Sequence, residues 1–482
     1  MSLDRASLIA RLRAAIGPDG VFSEPGELLA YEYDMGFDTH PPDIVVLPRS
    51  TAQVQAAVRL ANEAGIPVVP RGAGTGLCGG AVPLRGGLVI ALTRMNRILE
   101  IDIPNRRAVV EPGVINLELS ERTLPFGYYY APDPSSQKIS TIGGNVATNA
   151  GGPHCLAYGV TTNHVLGLEV VLPNGEVIHT GGVPDLPGYD LTGLLTGAEG
   201  TLGIVTQITV RLTRLPEAVR TALAAFPTID DASNAVSRII GHGIVPAALE
   251  MIDGPFCRAI EAAYHVGLPL EAGAVLLAEV DGPEAGIDET LQTIARICRE
   301  HEAFSLRLAA SEAERAALWA ARKGAAGAIG RMAPNYYIQD GVVPRTRLPQ
   351  AMRRVAEIAR EYRIEIANVF HAGDGNLHPT LLFDRRYPDQ IERALRAGDE
   401  ILKTCVELGG AISGEHGVGI EKREQMTYAF STRDLAAMAC LRQTFDPRAL
   451  FNPDKLLPAG AQCAEIRDLN RRALPGDAAL WW

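Results

Sequence analysis

Two short stretches late in the sequence combine histidine and carboxylate side chains with glycines. His371 and His378 flank a turn that contains Gly373-Asp374-Gly375, so a hairpin there would bring both imidazoles to one point. The pair Glu415-His416, also set among glycines, adds a carboxylate and a third imidazole. Two imidazoles and a carboxylate form a donor set for a divalent metal with open coordination positions. The residues therefore predict a metal site at His371, His378 and Glu415, with His416 free to act as a base.

Spacing alone leaves this assignment open. His416 could be the metal ligand, with Glu415 contacting that ligand rather than the metal. His371 and His378 could instead have structural or surface roles. A site of two histidines and a glutamate could also activate water in a metallohydrolase, although that function would leave the first half of the chain without a role.

Three glycine-rich stretches in the first half form a second group of candidates, at residues 71–80, 132–152 and 197–206. Small side chains, hydroxyls and amides surround exposed backbone in each, and such backbone can bind phosphate through its N–H groups without any helix. One stretch of this kind is often only a tight turn. Three in one domain favour a binding site for a long, polar, flat ligand.

The first stretch contains a G-x-G-x-x-G match at Gly74, Gly76 and Gly79, so a nicotinamide-binding Rossmann turn must be considered. That motif requires a helix to begin within the glycines, because the helix N-terminus receives the pyrophosphate. Pro83 and two more glycines follow here and will not form a helix. We therefore reject the Rossmann interpretation and keep a phosphate-binding loop.

The periodicity of the first half predicts mostly strands around these stretches. Residues 51–64 are expected to form a helix that is capped by Ser50 or Thr51 and stopped by Gly65. Asn174-Gly175 predicts a hairpin turn. The predicted strands are 66–69, 88–92, 108–110, 166–172, 177–179 and 204–212.

Longer helices alternate with strands in the second half, so we place a domain boundary near Pro216. Strands at 364–370 and 381–383 should border the turn between His371 and His378. The predicted helices are 230–240, 288–301 with Asp288 as N-cap, and the alanine-rich 311–331.

Composition limits the class of protein. The 482 residues are 47% hydrophobic and 21% charged, and the net charge of −11 argues against nucleic acid or an anionic membrane surface as the main partner. No apolar run is long enough to span a membrane and the N-terminus lacks an apolar signal region, so we expect a cytoplasmic protein. The absence of any C-x-x-C pair is typical of free thiols and gives no means of holding an iron–sulfur cluster. The seven cysteines are Cys78, Cys155, Cys257, Cys298, Cys405, Cys440 and Cys463.

The chain resembles the vanillyl-alcohol-oxidase-type flavoproteins, whose FAD-binding domain is of the PCMH type. The resemblance lies in the three glycine-rich stretches and in residues 368–379 (NVFHAGDGNLHP) and 412–419 (ISGEHGVG). Within that superfamily the chain is similar first to the FAD-linked subunits of bacterial glycolate oxidases, then to D-lactate and D-2-hydroxyglutarate dehydrogenases. The resemblance implies an α+β fold. Its parts would be an N-terminal helical segment at 1–40, the FAD-binding domain at 41–216, an α+β, ferredoxin-like substrate or cap domain at 217–440, and a helical C-terminal segment at 441–482 that returns to the FAD site.

The resemblance also implies which residues would hold FAD. The first stretch would wrap the pyrophosphate, and the second would line the dinucleotide and the flavin ring. Relatives with covalent FAD usually have a histidine in the first stretch; none lies at 71–80 here, so we expect dissociable FAD. The candidates are Arg71, Gly72, Gly74, Thr75, Gly76, Gly80, Pro132, Asp133, Thr141, Gly143, Gly144, Asn145, Thr148, Gly203, Ile204 and Asn452.

The implied reaction is the oxidation of a small 2-hydroxy acid to the 2-oxo acid, with a hydride passing to flavin N5. A divalent metal, zinc or a similar ion, would chelate the substrate and acidify its hydroxyl, and His416 would accept the proton. Arg322 is our candidate for binding the carboxylate, because arginine offers a bidentate fork. It could instead be a solvated arginine on an alanine-rich helix.

Substrate and electron acceptor follow from the resemblance as well. In D-2-hydroxyglutarate dehydrogenases a threonine and a lysine bind the second carboxylate, and the corresponding positions here are Ala326 and Tyr337. That difference favours glycolate or D-lactate over a diacid, with Tyr337 in the substrate site. A second flavin-binding-like subunit and an iron–sulfur subunit would accept the electrons and associate the chain with the membrane. A stand-alone dehydrogenase and a non-catalytic FAD-binding subunit are the alternatives.

Overall fold

Two sheets make up most of the first half of the chain in the computed structural model, which describes residues 4–182 and 188–460. The strands are β1 (Val21–Phe22), β2 (Ile44–Val46), β3 (Val68–Arg71), β4 (Leu88–Ala91), β5 (Ile98–Asp102), β6 (Arg107–Val110), β7 (Tyr128–Tyr129), β8 (Val165–Val171), β9 (Val177–Gly181), β10 (Ile204–Arg211) and β11 (Thr213–Arg214). A mixed sheet has the order β1-β2-β4-β3, and an antiparallel sheet has the order β5-β6-β10-β8-β9, while β7 pairs with β11.

Helices connect these strands. In chain order they are α1 (Arg5–Ile16), α2 (Pro25–Leu28), α3 (Thr51–Ala64), α4 (Asn116–Thr123), α5 (Ile142–Thr148), α6 (Cys155–Tyr158) and α7 (Leu191–Leu195). The predicted helix at 51–64 is confirmed as α3, since the Ser50 side chain accepts a hydrogen bond from the Gln53 N–H and Gly65 ends the helix with φ of 70°. Residues 72–87 contain no helix, so the rejection of the Rossmann interpretation is confirmed.

The second half is a seven-stranded antiparallel sheet between two layers of helices. The strands are β12 (Ala218–Phe226), β13 (Ala248–Asp253), β14 (Ala274–Gly282), β15 (Ser305–Leu308), β16 (Asn335–Ile338), β17 (Glu365–His371) and β18 (Pro379–Phe383). The helices are α8 (Ile229–Gly241), α9 (Gly254–Tyr264), α10 (Ile287–Glu300), α11 (Glu312–Lys323), α12 (Ala325–Ile329), α13 (Leu348–Glu361), α14 (Pro388–Glu407), α15 (Met426–Ala429) and α16 (Thr432–Phe445).

The order of this sheet is β15-β12-β14-β13-β17-β18-β16. Its first four strands, with α8 and α10 as connections, follow the ferredoxin-like pattern that the family resemblance implied. Buried residues of α8, α10, α13 and α14 pack on one face, and those of α9, α11 and α12 pack on the other. The sheet is therefore covered by helices on both sides, and α11 packs on the same face of the sheet as α9.

Two predicted helices differ from the structure. Asp288 does not cap α10; the N-cap is Gly286, and Asp288 lies in the first turn. The helix predicted at 311–331 is divided into α11 and α12 at Gly324, whose ψ of 3° is outside the helical range. The position admits no larger residue, because a Cβ there would lie only 1.8 Å from the Tyr264 hydroxyl. The close approach of Tyr264 to Gly324 is a tertiary contact, which the alanine-rich sequence does not reveal.

The end of the described chain returns to the first half. Phe451 pairs with Val68 in parallel beside the edge strand β3. The Val68 N–H donates to the Leu450 carbonyl, and the Asn452 N–H donates to the Val68 carbonyl, both at 2.8 Å. The first and second halves are thus joined at a sheet edge as well as at the boundary between β11 and β12.

Five of the cysteines are free thiols, namely Cys78, Cys155, Cys257, Cys298 and Cys405. Cys440 departs from the predicted set of free thiols because it is disulfide-bonded, and Cys463 lies outside the described residues. Among the helices described, none is both long enough and apolar enough to cross a membrane.

Candidate active site

A cavity of about 450 Å³ lies between the glycine-rich stretches and one face of the seven-stranded sheet, a size typical of cofactor and ligand sites. It brings together the two groups of residues that the sequence singled out separately. The predicted site residues that line it are Arg71, Gly72, Gly74, Thr75, Gly76, Gly80, Thr141, Gly143, Gly144, Asn145, Thr148, Gly203, Ile204, Arg322, His371, His378, Glu415 and His416.

Glycine keeps the wall of the cavity open in the first stretch. A Cβ on Gly76 would come no closer than 3.8 Å to another group, and one on Gly80 no closer than 3.7 Å, so either would project into space that a ligand can use. Gly74 has φ of 73°, a left-handed conformation that favours glycine. The exposed backbone of this stretch therefore fits the phosphates of a dinucleotide such as FAD.

Three predicted cofactor residues do not line the cavity, although they support its walls. The Pro132 carbonyl accepts a hydrogen bond of 3.0 Å from the Asn116 amide. Asp133 forms ion pairs of 2.8 Å with His154 and with Lys323, which belong to different halves of the chain.

Asn452 is the third of these residues and is fully buried. Its Nδ2 donates to the carbonyls of Gly80 and Glu199 at 2.9 and 2.7 Å, which ties the first glycine-rich stretch to the third.

Tyr337, the predicted substrate residue, does not line the cavity. Alternation along β16 turns its side chain to the opposite face, where its ring lies 5.0 Å from that of Phe37. The neighbours Tyr336 and Ile338 line the cavity instead. Tyr336 is therefore the tyrosine of this strand that can contact a substrate.

Two imidazoles and a carboxylate meet in the cavity at the hairpin between β17 and β18. His371 Nε2 and His378 Nε2 lie 3.2 and 3.1 Å from the same oxygen, Glu415 Oε1. Donors bound to one zinc ion at about 2.0–2.2 Å stand about 3.3–3.5 Å apart in a tetrahedron, close to these two distances. The ligand atoms of all three residues lie within 4.8 Å of one another, so the cluster could hold one ion. His416 Nε2 lies farther from Glu415, at 3.7 Å, and its ring stacks on His378 with 4.9 Å between centroids.

A buried carboxylate to which the sequence analysis gave no role, Asp340, holds the loop that carries Glu415 and His416. Its oxygens accept hydrogen bonds from Ser413 Oγ, Gly414 N, His416 N and Lys422 Nζ at 2.6, 3.1, 2.9 and 3.0 Å. Asp340, His378 and His416 form a second cluster of possible ligand atoms. Because the Asp340 oxygens already accept so many hydrogen bonds, the cluster with Glu415 is the better metal site.

Charge is unevenly distributed among these groups. Burial raises the pKa of Glu415, but the neighbouring imidazoles of His371 and His378 outweigh burial and hold that pKa well below its usual range. Burial lowers the pKa of His371, but Glu250 and Glu415 raise it well above 6.5. Burial lowers the pKa of His416 to about 4, so this imidazole is neutral near pH 7 and can accept a proton.

Glu250 is a second carboxylate that the sequence analysis missed. It lies on β13, and its Oε1 is 2.8 Å from His371 Nδ1. Its other oxygen forms an ion pair with Arg322, which is only 4% exposed and lines the cavity. A glutamate among the apolar residues 248–252 was the available signal, because a charged residue inside a buried strand needs specific partners.

Comparison with known families and sequences agrees with this architecture. Residues 42–181 match the model for an FAD binding domain, and residues 215–456 match the model for the C-terminal domain of FAD linked oxidases. Glycolate oxidase subunit GlcD of Escherichia coli K12 is 44% identical over 467 residues, covering 96% of this chain and 93% of that protein. The mitochondrial D-lactate dehydrogenase [cytochrome] of Arabidopsis thaliana is 33% identical over 421 residues, covering 86% of this chain and 74% of that protein.

Solved structures show the same fold at low identity. p-Cresol methylhydroxylase superposes with a TM-score of 0.80 at 18% identity, over 95% of this chain and 97% of the other. Alkyldihydroxyacetonephosphate synthase superposes with a TM-score of 0.75 at 20% identity, over 94% and 87%. The predicted PCMH-type fold is thus confirmed, and the chain belongs to the FAD-linked oxidases, with both of the family's domains in one polypeptide.

Proposed function

We propose that this protein oxidises a small 2-hydroxy monocarboxylic acid, glycolate or D-lactate, to the 2-oxo acid, with dissociable FAD as the immediate electron acceptor. The observation that carries the proposal is the meeting of His371, His378, Glu415 and His416 in the cavity that the glycine-rich stretches line. The names of the relatives, a glycolate oxidase subunit and a D-lactate dehydrogenase, support this class of substrate. A metallohydrolase would not need the glycine-rich wall, and a non-catalytic subunit would not need the histidines.

FAD, when bound, takes up the hydride that leaves C2 of the hydroxy acid. The backbone at 71–80 and 141–148 would hold the dinucleotide, and the histidines line the same cavity. The first stretch has no histidine, which supports a dissociable cofactor.

A divalent ion at His371, His378 and Glu415, zinc as our first choice, would lower the pKa of a hydroxyl that binds to it. His416 then receives the hydroxyl proton on Nε2, a contribution of about 10²–10⁴-fold for a general base. Asp340 supports this role because it binds the His416 backbone N–H at 2.9 Å and fixes the loop.

The carboxylate of the substrate would bind Arg322. The second half also contributes apolar residues to the cavity wall, among them Phe256, Ala326, Ile329 and Val369. Lys323, the next cation along α11, is occupied by Asp133 at 2.8 Å. One carboxylate and a small apolar substituent fit these surroundings better than a diacid does, so the D-2-hydroxyglutarate-type alternative is less well supported.

Electrons would leave FAD for a separate acceptor. The E. coli relative is named as a subunit, which supports a complex of the kind that the sequence implied, with a second flavin-binding-like subunit and an iron–sulfur subunit. In that arrangement the chain would work in the cytoplasm and reach the membrane through its partners.

An anaerobic absorbance titration of the FAD-loaded protein tests the proposal. We expect glycolate or D-lactate to bleach the flavin band and 3-hydroxypropionate, as a matched control, to leave it unchanged. A flavin that no 2-hydroxy acid bleaches would contradict the proposed function. Bleaching by D-2-hydroxyglutarate alone would favour the diacid alternative.

A further inference from the structure

Glu250 is a charged residue in the middle of a buried strand whose other residues are apolar except for Asp253 at its end. It lies on β13 between Leu249 and Met251, and it is 0% exposed. Moving a carboxylate from water into a protein interior costs several kcal/mol unless its partners compensate it. The residue must therefore be stabilised by specific contacts.

Two cavity-lining side chains supply these contacts. β13 pairs with β17 so that Glu250 lies directly opposite His371, and directly opposed residues share one face of the sheet. Oε1 lies 2.8 Å from His371 Nδ1, while Oε2 pairs with the guanidinium of Arg322. One buried carboxylate thus contacts both a candidate metal ligand and the candidate carboxylate-binding residue.

The first contact determines which nitrogen of His371 faces Glu415. When Nδ1–H donates to Glu250, Nε2, which lies 3.2 Å from Glu415, is the nitrogen left to give up its proton and bind a metal. A carboxylate behind a ligating histidine fixes the tautomer and the orientation of the ring.

The second contact holds one side of the Arg322 guanidinium. Arg322 Nε is buried and makes no hydrogen bond with any group in the described part of the chain. Buried donors of this kind normally have an acceptor. Because Arg322 lines the cavity, the carboxylate of a bound substrate can be that acceptor.

We propose that Glu250 is a positioning residue that fixes the separation between the metal-binding and carboxylate-binding ends of the substrate site. The inference rests on the proposed function and adds a rule of substrate choice to it. Because His371 and Arg322 are held by the same carboxylate, the two ends cannot move apart. The site therefore selects acids whose hydroxyl and carboxylate are on adjacent carbons, and it excludes 3-hydroxy acids, in which the two groups are one carbon farther apart.

The test compares Glu250→Gln and Glu250→Asp with the wild-type protein, all loaded with FAD. The matched control is Glu111→Gln, since Glu111 is a buried glutamate of the first half that pairs with Arg97 and does not line the cavity. Zinc affinity is measured by competition with a chromophoric chelator. Steady-state kinetics with glycolate, D-lactate and 3-hydroxypropionate give KM and kcat separately, and the flavin spectrum reports retained FAD.

We expect Glu250→Gln to weaken zinc binding by about 10–100-fold, the usual effect of losing a carboxylate behind a ligating histidine. KM should rise more than kcat falls, and FAD should stay bound. Glu250→Asp keeps the charge but is one methylene shorter, so it should recover zinc affinity only in part. Glu111→Gln should leave both quantities unchanged.

Wild-type zinc affinity and KM in Glu250→Gln, with only a lower Tm, would overturn the proposal. If that variant does not fold, wild-type zinc affinity and KM in Glu250→Asp would overturn it equally. Oxidation of 3-hydroxypropionate at the rate of glycolate by the wild-type protein would refute the selection rule. A failure of the proposed function is distinguishable, because the wild-type protein would then bind no zinc or be reduced by no hydroxy acid.

Discussion

His154 lies at the junction of the two halves, and we expect it to be protonated at neutral pH. Its Nδ1 is 2.8 Å from Asp133 and its Nε2 is 3.2 Å from Glu279. Lys323 also pairs with Asp133, at 2.8 Å, and Arg315 lies 3.2 Å from Glu279. Burial lowers the pKa of His154, but the two carboxylates outweigh burial and raise the pKa to about 10.

The sign of the resulting pH dependence follows from linkage. A group whose pKa is higher in the folded than in the unfolded state stabilises the fold fully below its unfolded pKa and loses that contribution as the pH rises through its folded pKa. For His154 the window runs from pH 6.5 to about 10. At about 1.4 kcal/mol per pH unit the upper limit is about 5 kcal/mol, and breaking a buried ion pair costs about 3–5 kcal/mol. We therefore expect His154→Gln to lower the free energy of unfolding by about 3–5 kcal/mol at pH 6.5, and by much less at pH 9.5.

Chemical denaturation of the FAD-loaded protein at both pH values measures the difference. His179→Gln is the matched control, since this histidine is 70% exposed and pairs with Glu169 of the neighbouring strand β8. The variant at His154 should also raise KM, because α11 carries both Lys323 and Arg322. The reasoning would be refuted if the wild-type and His154→Gln proteins had the same free energy of unfolding at pH 6.5. It would also be refuted if that free energy fell by the same amount in both proteins between pH 6.5 and 9.5.

Three further variants test other parts of the site. His416→Ala should keep FAD and metal yet lose about 10²–10⁴-fold in kcat, and normal turnover would show that another group is the base. His371→Ala should lose bound zinc before it loses FAD, so full zinc occupancy by elemental analysis would argue against this ligand. Glu199→Ala should lower the free energy of unfolding by about 2–5 kcal/mol, because it leaves two N–H donors without an acceptor. Those donors are the backbone N–H groups of Val418 and Gly419, which bind Glu199 at 2.7 and 2.8 Å. An unchanged denaturation midpoint in Glu199→Ala would show that these two hydrogen bonds do not stabilise the fold.

The parts of the fold that depend on local chemistry could be predicted from the sequence. Helix α3 has its cap, its buried stripe and its terminal glycine within one short segment. Pro83 excluded a helix after the first glycine-rich stretch because proline lacks the N–H that a helix needs. The histidine hairpin could be predicted too, since the turn residues lie between its two strands.

The parts that depend on distant neighbours could not be predicted. Gly324 leaves room for Tyr264, which lies on another helix, and nothing local to residues 311–331 indicates that contact. Tyr336 and Tyr337 are equivalent in the sequence, and only the packing of the sheet decides which of them faces the cavity. Glu250 acquires its role from β17 and α11, both of which follow it by many residues.

The return of residues 450–452 to β3 has a consequence for biosynthesis. β3 is an edge strand, and within residues 4–182 and 188–460 its outer side pairs with a segment around Phe451 that is translated several hundred residues later. Translation proceeds at about 5–20 residues per second, so the edge of β3 stays unpaired for tens of seconds after the FAD-binding half has been synthesised. An unpaired sheet edge is a template for aggregation. A fragment that stops at residue 216 should therefore self-associate, and a synthetic peptide of residues 446–458 should suppress that association by covering the edge.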